Sequence, residues 1–127
     1  MNWSKFERDV CSFYFEHGYW AHRIARDERG AQPFDVIAIR GNYVVAVDCK
    51  VCSRKSFPLA RVEDNQRLAM QIMTERTNAF VAFLCYFDGK VYVLPFVEVD
   101  KALRDGVVSI PLKNCKVLFE YEGEENA

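Results

Sequence analysis

Long apolar runs are missing from this sequence. Its hydrophobic stretches are strand-sized and interrupted by charge, and the amino end carries Lys5, Glu7, Arg8 and Asp9 without a signal-type apolar core. A membrane-spanning helix needs about 20 consecutive apolar residues, so no membrane partner is expected and a soluble, cytoplasmic protein is. Histidine is scarce: His17 and His22 are the only two, they lack metal-motif spacing, and structural or surface roles are expected for both. Internal repeats and low-complexity linkers are absent as well. So is a basic excess, since the formal net charge is −1, which by itself does not point to nucleic acid.

Cysteine is present in quantity but without a framework. Cys11, Cys49, Cys52, Cys85 and Cys115 are an odd number scattered through apolar sequence, which favours reduced thiols over disulfides. Cys49 and Cys52 form one Cys-x-x-Cys, and no second pair stands at a spacing that would complete a zinc site. The first thiol of the pair is expected to point into the sheet.

With 127 residues, half of them hydrophobic and 14% aromatic, the chain can bury one core. A single domain over residues 1–121 is expected, followed by an acidic, flexible tail at 122–127. Charge is unevenly spread along it. Between Arg23 and Arg61 eight basic residues face four acidic ones, whereas from Thr77 onward five basic residues face eight acidic ones. Positive charge therefore gathers in the first half, which suits an anionic ligand.

Ser4 and Glu7 have capping-box spacing, and Phe6, Val10, Phe13 and Tyr14 follow at helical intervals, predicting a helix over residues 4–18. A strand is expected over 19–25, a polar loop over 26–33, and strands over 34–40 and 43–50 joined by the Gly41-Asn42 turn. Residues 51–60 read as a loop. A second helix follows over 62–76, with Leu68, Ile72 and Met73 on its inner side. Strands over 77–86 and 90–94 meet at Asp88-Gly89, a strong hairpin signal. A short helix over 97–104 and short strands over 107–110 and 116–121 complete the pattern. The order predicts an α/β fold in which a mixed sheet is flanked by helices.

The chemistry concentrates at Asp48-Cys49-Lys50. Side chains alternate along a strand, so Asp48 and Lys50 share one face and Cys49 takes the other. Pairing through the Gly41-Asn42 turn brings Asp35 to the neighbouring strand beside them. Two carboxylates, with the backbone carbonyl of Cys49, can hold Mg²⁺ or Mn²⁺, hard cations that prefer oxygen. The ammonium of Lys50 can then orient a water or neutralise charge on a phosphate. Asp48 and Lys50 could equally form an ordinary strand-end ion pair. Arg54, Lys55 and Arg61 flank the segment and could track a nucleic-acid backbone, and no segment reads as a major-groove recognition helix.

Phe6-Glu7-Arg8, Gly18-Tyr19, Arg23, Pro33-Phe34-Asp35, Asp48-Cys49-Lys50, Ser56-Phe57-Pro58-Leu59 and Gln66 together resemble the PD-(D/E)xK nuclease superfamily. Within it they are most similar to the archaeal Hjc-type and bacterial RecU-type Holliday junction resolvases. The likeness covers about half the chain, with Pro33-Phe34-Asp35 in place of an adjacent Pro-Asp and Asp48 where these resolvases generally have Glu. It implies a restriction-endonuclease-like fold and a metal-dependent endonuclease that hydrolyses DNA phosphodiesters, most specifically a junction resolvase of recombination and repair. A restriction-type or phage and defence nuclease, or a non-cleaving nucleic-acid-binding member of the fold, are the alternatives. The resemblance further implies Mg²⁺, with Mn²⁺ as substitute, a homodimer, and branched DNA as partner. By position, Asp35 and Asp48 become metal ligands, Lys50 the catalytic amine and Arg8 a phosphate contact. Glu7 becomes the helix acid that completes or supports the metal site, a role that competes with capping. Gln66 would face the site and bond a water or phosphate oxygen, unless it is simply a surface glutamine.

Overall fold

The computed structural model describes residues 2–25 and 32–121. The tail at 122–127 and most of the polar loop expected at 26–33 lie outside the described residues. Helix α1 spans Trp3–Glu16, β1 Trp20–Arg23, β2 Val36–Arg40, β3 Tyr43–Val51 and β4 Ser56–Pro58. Helix α2 spans Asp64–Arg76, followed by β5 (Phe80–Phe87), β6 (Lys90–Pro95), α3 (Phe96–Arg104), β7 (Ser109–Pro111) and β8 (Lys116–Glu120).

Six strands form the main sheet in the order β1-β2-β3-β5-β6-β8, while β4 and β7 make a separate two-stranded sheet. Every neighbouring pair in the main sheet is antiparallel except β3 and β5. That parallel pair requires a crossover, which α2 supplies, preceded by the β4 excursion. The antiparallel hairpins close as their turn residues demand. Gly41 takes φ 59° ahead of Asn42, and Asp88-Gly89 takes φ 49° and 83°, a left-handed pair that matches the twist of β5 and β6.

Alternation along the strands divides the apolar residues between two cores. Phe6, Val10 and Tyr14 of α1 pack on Val36, Val47, Cys49 and Leu84 on one face. On the other, Met70 of α2 and Val99 of α3 pack with Phe57, Leu59 and Leu112 on Ala46, Phe83 and Cys85. The mixed sheet with helices on both faces is the architecture that the pattern predicts.

Local expectations fare less evenly. The residue that caps α1 is Asn2, whose side chain accepts the Lys5 N–H at 3.1 Å, so Ser4 and Glu7 form no capping box. The helix starts two residues earlier than the Ser4 cap requires, which places Ser4 inside its first turn and frees Glu7 to face inward. Leu68 and Ile72 are exposed rather than inner, and Gln66 and Met70 are buried in their place. Residues 51–60 are not simply a loop: Ser56–Pro58 pairs with Ser109–Pro111, and a 3₁₀ turn follows at Leu59–Arg61. The pairing partner lies more than fifty residues away, beyond the reach of local pattern. No helix among the described residues is long and apolar enough to cross a membrane.

Candidate active site

Burial of charge locates the site. Among the described residues, the buried polar or charged side chains are Glu7, Asp35, Asp48 and Gln66. Such groups leave water only at a cost of several kcal/mol unless something compensates. Asp35 and Asp48 meet where β3 runs past the start of β2.

Backbone pairing sets the two acids side by side. The antiparallel ladder pairs Val36 with Val47, and the Asp35 N–H continues it by donating to Val47 O at 2.8 Å. Asp35 therefore stands across from Asp48. One oxygen of Asp35, Oδ2, accepts the Cys49 N–H at 2.8 Å, and Oδ1 accepts from Gln32 Nε2 at 3.2 Å. Asp48 has no comparable support. Its Oδ2 lies 3.1 Å from Lys50 Nζ, a charge contact whose alignment does not make a hydrogen bond. Burial first, and then the charge of Asp35, push the Asp48 carboxyl up to about 7, against the opposing pull of Lys50. Two carboxylates crowded out of water thus share a site that repels their second negative charge.

Cys49 turns the other way, into the core beneath α1. Burial, with the nearby charges of Asp35, Asp48 and Glu7, raises its thiol well above the usual range. Cys52 lies in the opposite core, where Cys85 and the Arg61 guanidinium, 3.9 Å away, lower its thiol. The two sulfurs of the Cys-x-x-Cys face different sides of the sheet and cannot chelate one ion together. The carbonyl of Cys49 accepts the indole N–H of Trp3 at 3.2 Å.

Glu7 approaches from α1 and binds Arg23, whose Nε donates to Oε1 at 2.9 Å while Nη2 reaches Ser4 Oγ at 3.3 Å. Among the described residues no three His, Cys, Asp or Glu side chains converge on a common point, so Glu7 is not drawn into one cluster with Asp35 and Asp48. Gln66 approaches from α2, and its Nε2 donates to Pro33 O at 3.4 Å. The basic residues are dispersed. Arg8, Arg54 and Lys55 are exposed, and Arg61 is tied to Val51 O at 2.9 Å. His17 bonds Phe13 O, and His22 stacks on Trp20, both at the surface.

Three contributors escape sequence reasoning: Gln32 as the partner of Asp35, Arg23 as the counter-ion of Glu7, and Trp3 at the Cys49 carbonyl. Nothing local marks them, although Gln32 stands only three residues before Asp35. Removing this one counter-ion should be costly. Arg23→Met is expected to lower unfolding free energy by about 1–3 kcal/mol, read from urea denaturation, because the Glu7 carboxylate stays buried.

A hard cation fits this neighbourhood. Gln32 Oε1, Asp48 Oδ2 and Gln66 Oε1 are buried oxygens that accept no hydrogen bond, and acceptors short of donors suit an oxygen-seeking ion. A search of the curated proteins finds no match. The model of the archaeal Holliday junction resolvase (Hjc) family, however, matches residues 2–115. The chain belongs to that family. It is accordingly a Holliday junction resolvase, an endonuclease that hydrolyses DNA in recombination and repair. The fold agrees: the 1.6 Å structure of Hjc from the archaeal hyperthermophile Archaeoglobus fulgidus superposes with a TM-score of 0.61. The alignment covers 90% of this chain and 93% of that one at 19% identity. Resolvase nucleases of this fold generally use divalent metals.

Proposed function

We propose that this resolvase is a Mg²⁺-dependent homodimer acting on branched DNA in the cytoplasm, with its nuclease domain spanning residues 1–121. Asp35 and Asp48 are its metal ligands and Lys50 its catalytic amine. The observation that carries this reading is the burial of two adjacent carboxylates, one of them with an oxygen that accepts no hydrogen bond, beside a lysine ammonium. When bound, Mg²⁺ would polarise the phosphate and acidify a water, and Mn²⁺ would substitute.

The residues divide the remaining work. Asp35 is held rigidly by the Cys49 N–H and Gln32, so its carboxylate is oriented before DNA arrives. Asp48 and the backbone carbonyl of Cys49 would supply further oxygen ligands to the ion. Lys50 donates to the attacking water or to the phosphate oxygen on which charge develops. Gln66 Oε1 accepts from that water, and Glu7 supports the site from the α1 side with its carboxylate fixed by Arg23. Arg8, Arg54, Lys55 and Arg61 hold the DNA backbone through phosphates, which gives shape selectivity without base reading. A four-way junction is two-fold in outline, and a two-fold dimer places one site on each of two strands.

Purified protein incubated with Mg²⁺ and either a four-way junction or a linear duplex provides the test. Cleavage of the junction alone is expected, with the Lys50→Ala rate lower by about 10²- to 10³-fold. Equal cutting of both DNAs would contradict junction selectivity, and an unchanged Lys50→Ala rate would remove Lys50 from the chemistry.

A further inference from the structure

A second feature adjoins the acids without belonging to them. Trp3, Cys49, Lys50, Val51 and Arg61 line an open pocket of about 240 Å³ between the first turn of α1 and the end of β3. Cys49 contributes backbone, since its thiol is buried in the core beneath α1. The walls are thus an indole, two cations and the strand end, and no acid lines the pocket. Lys50 belongs to both places, because its ammonium lies 3.1 Å from Asp48.

Trp3 is placed unusually for its size. It opens α1, its N–H donates to the Cys49 carbonyl, and the residue remains 41% exposed. A tryptophan serving only as a clasp would gain most by burying its ring. Here the hydrogen bond fixes the indole while leaving aromatic surface beside Lys50 and Arg61. Arg61 is fixed as well, through its bond to Val51 O. Aromatic surface flanked by immobilised cations is the arrangement that receives single-stranded nucleic acid: the ring stacks a base and the cations take the adjoining phosphates.

We propose that this pocket seats one unpaired nucleobase next to the scissile phosphate, stacked on Trp3, with Lys50 and Arg61 on the flanking phosphates. The inference rests on the nuclease reading for its location and adds a ligand that the acids do not require. Its volume of about 240 Å³ accommodates one base. Strands at a branch point can present such a base, whereas a continuous duplex keeps its bases stacked. Trp3 would then contribute to selecting branched substrates.

The test uses Trp20→Phe protein, in which Trp3 is the only tryptophan, in EDTA so that no cutting occurs. A short thymidine oligomer is expected to quench Trp3 fluorescence, and an abasic oligomer of equal length and charge is not. In Mg²⁺, Trp3→Ala should raise the KM for a four-way junction by about 5- to 100-fold, with a smaller change in kcat. Trp3→Phe, which keeps a ring but lacks the N–H, should recover most of that loss. Equal quenching by the abasic oligomer would overturn the proposal in favour of phosphate binding alone. A Trp3→Phe defect as large as that of Trp3→Ala would overturn it in favour of a structural clasp. Base-dependent quenching by a protein that cuts no junction would leave the pocket standing and refute the nuclease reading. Normal cutting by Trp3→Ala would do the reverse.

Discussion

Asp48→Asn should abolish junction cleavage and, in the absence of metal, make the protein more stable above pH 7. Both effects come from one carboxylate. Without a charge at position 48 the site keeps a single acid for the cation, and a loss of about a thousandfold or more is expected. The stability effect has the opposite sign because the folded chain holds the Asp48 proton up to about pH 7, against the ordinary value of 3.8. From about pH 4 to 7 the folded state therefore binds more protons than the unfolded one. The contribution of this group to stability is fully present below about pH 4, falls as pH rises, and is lost above 7. Its full size is on the order of 4 kcal/mol. Loss of the Lys50 ion pair offsets part of the gain from Asn, leaving about 1–3 kcal/mol at pH 8 and little at pH 4. Urea denaturation in EDTA across this range is the measurement. The wild type should also gain stability from millimolar Mg²⁺ or Mn²⁺ at pH 8, and the variant should not. A variant as pH-dependent as the wild type would show that Asp48 is not the strained group.

Replacing the other acid should separate activity from stability in a different way. Asp35→Ala and Asp35→Asn are both expected to lose about a thousandfold in cleavage, yet only the alanine should unfold more easily. Asp35 Oδ2 accepts the N–H of Cys49 inside the protein, and Oδ1 accepts from Gln32. Alanine leaves a buried backbone donor unsatisfied, for a loss of about 1–3 kcal/mol. The amide oxygen of asparagine can still accept that bond. Thermal denaturation beside the cleavage assay checks the pair. An alanine variant as stable as the wild type would mean that the Cys49 N–H finds another partner, and an active asparagine variant would remove Asp35 from the ligand set.

The contrast between these two aspartates illustrates what local sequence carries. Strand periodicity and a two-residue Gly41-Asn42 turn specify register, and register alone places Asp35 across from Asp48 with Lys50 two residues on. None of that states which carboxylate is hydrogen-bonded and which is strained. The difference depends on the Cys49 N–H of β3 and on Gln32, which stands just before β2. The same division holds on the helices. Gln66 was legible as a residue type with two plausible settings, but Leu68 and Ile72 suggested the wrong inner face for α2. The side of α2 that faces the sheet is set by where the β4 excursion delivers it, and β4 exists only because β7 pairs with it. At α1, the Ser4 and Glu7 spacing suggested a cap. Asn2 takes that place, and Glu7 is buried against Arg23 instead.

Sequence by itself determined the order of the main helices and main-sheet strands, the hairpins, the mixed sheet and the strand face on which Asp48 and Lys50 stand, because strand alternation, turn chemistry and hydrophobic periodicity act over a few residues. Tertiary structure alone decided that Glu7, Asp35, Asp48 and Gln66 are withdrawn from water together. It also split Cys49 from Cys52 and laid Trp3 against the Cys49 carbonyl. Those outcomes depend on contacts between segments far apart in the chain, and the electrostatics of the site follow from burial, which no local pattern encodes.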